Sequence, residues 1–150
     1  MGMKYKNILV AVDGSTEAEW AFKKAIEIAK RNNASMVLAH IIDTRTFATV
    51  EAYDRTIAER ADRFATELME KYKRTAMEAG IENVRFEIDY GSPKVKIPKD
   101  VARKHNVDLI ICGATGMNAV ERFLIGSVSE HITRYARCDV LVVRTDKEDE

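Results

Sequence analysis

The chain alternates between two kinds of apolar run, and that alternation restricts its fold more than any other feature. Residues 6–12 (KNILVAV) make a short, β-branched, nearly continuous apolar run that stops at Asp13-Gly14. Over 16–31 the apolar residues change to helical spacing, at Ala18, Ala21, Phe22, Ala25, Ile26, Ile28 and Ala29. Ser15 is placed to cap that helix, and Glu17 and Glu19 put negative charge in its first turn. A second buried strand is predicted over 35–42. A long helix follows over 50–79, with its apolar stripe at Tyr53, Ile57, Ala61, Phe64, Leu68, Met69, Tyr72 and Ala76. Gly80 stands where a left-handed residue closes a helix.

Residues 84–90 (VRFEIDY) alternate strictly, which predicts a third strand with one buried and one polar face. Ser92-Pro93 starts a helical turn. Pro98 cannot donate to residue 94, so a break is expected there, with a helix only from about 98 to 105. Strand four is predicted over 107–112, a helix over 127–137 and strand five over 139–144. The acidic end, 146–150, reads as a frayed tail on a single domain covering 1–150.

Strands alternating with helices build βαβ units, so the fold class is α/β: a five-stranded parallel sheet with helices on both faces. Right-handed crossovers leave two strand orders, 3-2-1-4-5 and the flavodoxin-like 2-1-3-4-5. Both have a switch point beside strand one, where the carboxyl ends of the strands open a ligand crevice.

Composition narrows the class of partner. Lysine plus arginine number 24 and so do aspartate plus glutamate, a balance that argues against a general nucleic-acid binder. No apolar run is long enough to span a membrane and the N-terminus lacks a signal peptide, so a cytoplasmic protein is expected. Gly2 is not in a myristoylation context, because position 6 is Lys. Cys112 and Cys138 adjoin apolar runs and are expected as reduced, packed thiols. His40, His105 and His131 share no metal-ligand spacing. The basic run Lys94, Lys96, Lys99, Arg103 and Lys104 reads as a helix surface.

Three of the seven glycines fall between Gly113 and Gly126. Gly113 directly follows strand four, Gly116 is three residues on, and Gly126-Ser127 opens the next helix. A glycine after a strand lets the backbone approach a ligand closely. A helix start offers free N–H groups and the positive end of the dipole, for which phosphate is the usual guest. The chain has neither G-x-x-x-x-G-K-[ST] nor G-x-G-x-x-G. On spacing alone, plain turn and cap residues remain an alternative. Asp13, at the carboxyl end of strand one, reads equally as a helix-entry cap and as a ribose ligand.

G-x-x-G, nine residues, then G-[ST] is similar to the ATP-binding signature of the universal stress protein family, with Gly113, Gly116, Gly126 and Ser127 in its fixed positions. NILVAVDGS, AHIID, GSP and VDLIICG resemble family segments in family order along essentially the whole chain. The resemblance implies strand order 3-2-1-4-5, a Rossmann-like sheet of the adenine nucleotide alpha hydrolase type, and membership of the ATP-binding branch. By the same resemblance Asp13 meets the ribose, Ile41 meets adenine through its backbone, and Val12 and Cys112 line the base pocket. Gly113 approaches the ribose, while Gly116, Gly126, Ser127, Val128 and Ser129 hold the phosphates, with Mg²⁺ or Mn²⁺ riding on them. Arg122, within the loop, reads as solvated.

The expected function is a nucleotide-dependent switch in the stress response, read by an unidentified protein partner. A slow or partner-stimulated ATP hydrolase is the alternative, because the loop supplies no evident base and no P-loop lysine. A phospho-accepting receiver domain is excluded: Asp13 lacks a second acid beside it and strand five ends Arg144-Thr145. An FMN protein would want loop aromatics, and the glycine stretch has Phe123 alone. A homodimer through Val140, Leu141, Val142 and Val143 of strand five is expected, since that edge carries no charge across its middle.

Overall fold

The computed structural model describes residues 4–43, 55–114 and 127–144. Five parallel strands, β1 (Asn7–Ala11), β2 (Ser35–Asp43), β3 (Val84–Gly91), β4 (Leu109–Gly113) and β5 (Asp139–Val143), lie in the order β3-β2-β1-β4-β5. The flavodoxin-like order is thereby excluded. The helices are α1 (Thr16–Asn32), α2 (Arg55–Glu78), a segment α3 spanning 93–104, and α4 (Ser127–Tyr135). Residues 50–54 of the expected long helix, Tyr53 among them, and the acidic tail lie outside the described residues.

The central strands are apolar without alternation because both sheet faces are covered. Val10 of β1 stands between Leu38 of β2 and Ile111 of β4, and all three are fully buried. On one face Ile8, Val10, Met36, Leu38 and Ile111 pack against α1 and α2. On the other, Leu9, Ala39, Ile41, Ile110 and Cys112 pack against Ile97, Val101 and Ala102 of α3 and Ile132 of α4.

The helix ends follow from local chemistry. Ser15 Oγ accepts from the Ala18 N–H at 3.1 Å, the expected cap, and Lys30 and Arg31 complement the dipole at the far end of α1. Gly80, at φ +111°, closes α2, and the Ile81 N–H reaches back to the Ala76 carbonyl at 3.1 Å. The buried stripe of α2 runs through Ala65, Met69, Tyr72 and Ala76. Phe64, expected in that stripe, is 57% exposed, because one helical residue from the centre of the stripe is a rotation of about 100°.

Pro98 does not break α3. The segment runs as an α-turn (Pro93–Val95), a π-helix (Lys96–Val101) and a second α-turn (Ala102–Lys104). Within it the Ala102 N–H reaches the Ile97 carbonyl five residues back. The wider π turn takes the ring and its missing N–H without the clash that an α-turn imposes. Ile97 and Val101 then face the sheet, and Pro98 beside them is buried.

The polar face of β3 is largely paired with its neighbours. Glu87 pairs with His105 Nε2 at 2.8 Å and with Lys104 Nζ at 3.3 Å, and Asp89 pairs with Lys96 Nζ at 3.3 Å. These acids turn across the sheet face toward α3 and the residue that follows it, and Arg85 alone of the three charges is exposed without an ion pair among the described residues.

Candidate functional site

The switch point lies between β1 and β4, because β1 pairs with β2 on one side and β4 on the other. The helix after β1, α1, packs on one sheet face and the helix after β4, α4, on the other, the arrangement that opens a crevice at the carboxyl ends of the two strands. Val12 and Asp13 directly follow the first strand; Cys112 and Gly113 end the fourth, and Ala114 follows it.

Val12 is buried and fixed at both backbone groups. Its N–H donates to the Ala39 carbonyl at 3.0 Å, and its carbonyl lies 2.9 Å from His40 Nδ1. A carbonyl can only accept, so Nδ1 carries the proton. His40 thereby anchors the strand end at the crevice, a role that spacing along the chain does not reveal. Its signal is its place near the carboxyl end of β2, in register with the residues that face α1 and α2.

Asp13 is exposed, and its Oδ1 accepts from the Ser15 N–H at 2.9 Å, an Asx turn ahead of the helix cap. The cap itself is Ser15. The turn occupies one carboxylate oxygen and holds the group at the lip of the crevice. Its other oxygen has no hydrogen bond among the described residues.

Cys112 packs in the core between the sheet and α3 and α4, and burial pushes its thiol pKa up to about 12. It is a neutral wall residue, neither thiolate ligand nor nucleophile. Gly113 follows, and a Cβ built there would sit 3.0 Å from both the Glu17 carbonyl oxygen and Glu17 Cβ. The absent side chain is what lets the end of β4 meet the first turn of α1. Gly113→Ala is expected to destabilise the fold by about 1–3 kcal/mol, since backbone must move; urea unfolding monitored by circular dichroism measures it.

Ala114 ties three elements together. Its N–H donates to the Val143 carbonyl of β5 at 2.9 Å, and its carbonyl accepts from Ser129 Oγ at 2.8 Å. Ser129 is 3% exposed, so its hydroxyl proton is committed and its backbone is the part that remains relevant to an anion. The bond holds the first turn of α4, with its positive dipole end, against the end of β4. Val128, beside it, is exposed. Ile41 is buried one strand away, on the same sheet face as Cys112. Gly116, Gly126 and Arg122 lie outside the described residues, as does the Ser127 side chain. Among the described residues no group of three His, Cys, Asp or Glu side chains could hold a metal ion.

The universal stress protein family model matches residues 4–144. The chain belongs to the universal stress protein family. Among universal stress proteins, one assigned in Staphylococcus haemolyticus is 54% identical over 145 residues, 97% of this chain and 88% of its own length. The solved UspA of Lactobacillus plantarum is 35% identical, with a TM-score of 0.83 over 95% of this chain and all of its own. A universal stress protein from Archaeoglobus fulgidus, solved in complex with dAMP, shares the fold at 23% identity and a TM-score of 0.67. That match covers 95% of this chain and 100% of the archaeal one. No described helix is long and apolar enough to cross a membrane.

Proposed function

We propose that the protein binds ATP in the switch-point crevice, with Mg²⁺ or Mn²⁺ carried on the phosphates, and that occupancy sets a conformation read by another protein. The observation that carries this reading is the bond from Ser129 to Ala114, which brings a helix N-terminus to the mouth of the crevice that Asp13 borders. Positive backbone potential and a lone carboxylate suit phosphate and ribose respectively. The phosphates are assigned to Gly116, Gly126, Ser127, Val128 and the Ser129 backbone. Asp13 and Gly113 are assigned to the ribose, the Ile41 backbone to adenine, and Val12 and Cys112 to the pocket wall. The dAMP complex of the archaeal protein supports the reading to the extent that this fold accommodates an adenine nucleotide.

Hydrolysis is the second reading, and the crevice favours it weakly. None of its described residues is a lysine or arginine, and Cys112 stays protonated. Turnover is therefore expected to be slow or dependent on a partner.

Denaturing the purified protein and identifying released nucleotide by chromatography and mass tests occupancy directly. Calorimetry tests the ribose assignment: Asp13→Ala is expected to weaken ATP by about ten-fold, the scale of one charge-assisted hydrogen bond. The loss should shrink for an ATP analogue lacking the 2′- and 3′-hydroxyls. Equal losses for both nucleotides would assign Asp13 to the Asx turn alone.

A further inference from the structure

At the opposite end of the sheet a cleft of about 270 Å³ opens between α3, the turn that follows it, and the residues just before β5. Its floor is Pro98, Ala102, Val107 and Cys138, all buried or half-buried. The charged groups lining it are Lys99, Arg103 and Arg137, all exposed, and no acid lines it. In a chain with 24 basic and 24 acidic residues, three cations around one cleft is a local segregation of charge.

The nearby acids point their oxygens at other partners, although, beside burial, Asp108 and Asp139 lie close enough to help raise the Cys138 thiol pKa. Asp108 accepts from the backbone N–H groups of Lys6 and Asn7, Asp139 accepts from the Tyr5 hydroxyl, and Asp100 pairs with Lys96. Arg103 and Arg137 form no ion pair with any described residue, and Lys99 lies 5.2 Å above the Tyr135 ring. Arg103 also complements the carbonyl end of α3 and Lys99 has the Tyr135 ring beneath it, which leaves Arg137 without a partner among the described residues.

The geometry points to a second ligand site here, for a small organic anion bearing phosphate or carboxylate groups. Two guanidiniums favour such oxyanions through forked hydrogen bonds, and the neutral floor takes an apolar edge of the ligand. The volume lies just below the roughly 300–1,000 Å³ of sites for drug-sized ligands, which suits a small ligand. The cleft is also distinct from the nucleotide crevice. It opens at the amino ends of β4 and β5, and a five-residue strand separates the two ends by about 16 Å.

Amide NMR of the ¹⁵N-labelled protein tests the site with two probes, inorganic pyrophosphate and succinate. Saturating shifts are expected at Ala102, Asn106, Val107 and Cys138, with the tighter probe showing whether phosphate or carboxylate is preferred. Arg103→Glu with Arg137→Glu should weaken that binding by at least about ten-fold. Lys24→Glu with Arg31→Glu, the same charge change on exposed positions of α1, should leave it unaltered. As a second readout on the wild type, either bound probe should slow alkylation of Cys138, the less buried of the two thiols. Shifts that never saturate, that weaken equally in the α1 variant, or that occur only at residues 112–114 and 127–129 would overturn the proposal.

Discussion

A Gly126→Val variant is expected to fold like the wild type and to lose ATP affinity by ten-fold to more than a hundred-fold. Gly126 immediately precedes α4, whose first turn is held at the crevice through Ser129. A branched side chain at that position would occupy the space assigned to phosphate and displace the backbone donors. A loss of about 1.4–3 kcal/mol of phosphate interaction corresponds to that range of affinity. Calorimetry with ATP, beside a circular dichroism spectrum to establish folding, makes the measurement. Unchanged affinity in a folded variant would remove the loop from the binding site.

The second large effect is expected at the edge of the sheet. Val142→Lys should convert a homodimer into a monomer that still binds ATP. β5 pairs with β4 alone among the described residues, and Val140, Leu141 and Val142 remain only partly buried. An uncharged edge of this kind is stabilised when a second copy pairs with it about a two-fold axis. A lysine there places like charges across the axis and so disfavours the pair. Light scattering reports the mass, and calorimetry shows whether the crevice is intact. A wild-type protein that runs as a monomer at high micromolar concentration would refute this arrangement.

Most of the sheet was legible because its strands are buried on both faces, so runs such as ILVAV and LIIC carry an undiluted signal. The cap at Ser15 and the closure at Gly80 were legible for a related reason: each depends on one residue type at one position. The failures share a cause too. Pro98 breaks a helix only in α-helical geometry, and the sequence offers no sign that the chain widens to a π turn. Hydrophobicity favours Phe64, whereas the α2 interface selects by angle and takes Ala65 instead. The acids of β3 alternate as an edge strand would, but their partners on and just beyond α3 are set by packing between layers. At the candidate site, the positions of Asp13 and Gly113 at the ends of β1 and β4 were legible, though not a ligand role for either. His40 was not, because its partner, the Val12 carbonyl, is a backbone group 28 residues away. The role of Gly113 against Glu17 was equally hidden, since a sequence names the residue but not the neighbour that needs its space.

Ala114 gives the molecule a mechanical property. One residue spans from the first turn of α4 to the carboxyl end of β5, its N–H bonded on one side and its carbonyl on the other. Such bonds stretch by only a few tenths of an ångström before they weaken steeply. A ligand that pulls the α4 turn inward by more than that must either snap the Ser129 link or drag the rim of the sheet along with it. The crevice and the outermost strand are therefore tied at Ala114, in addition to the packing of α4 on β5 and the short connection between them.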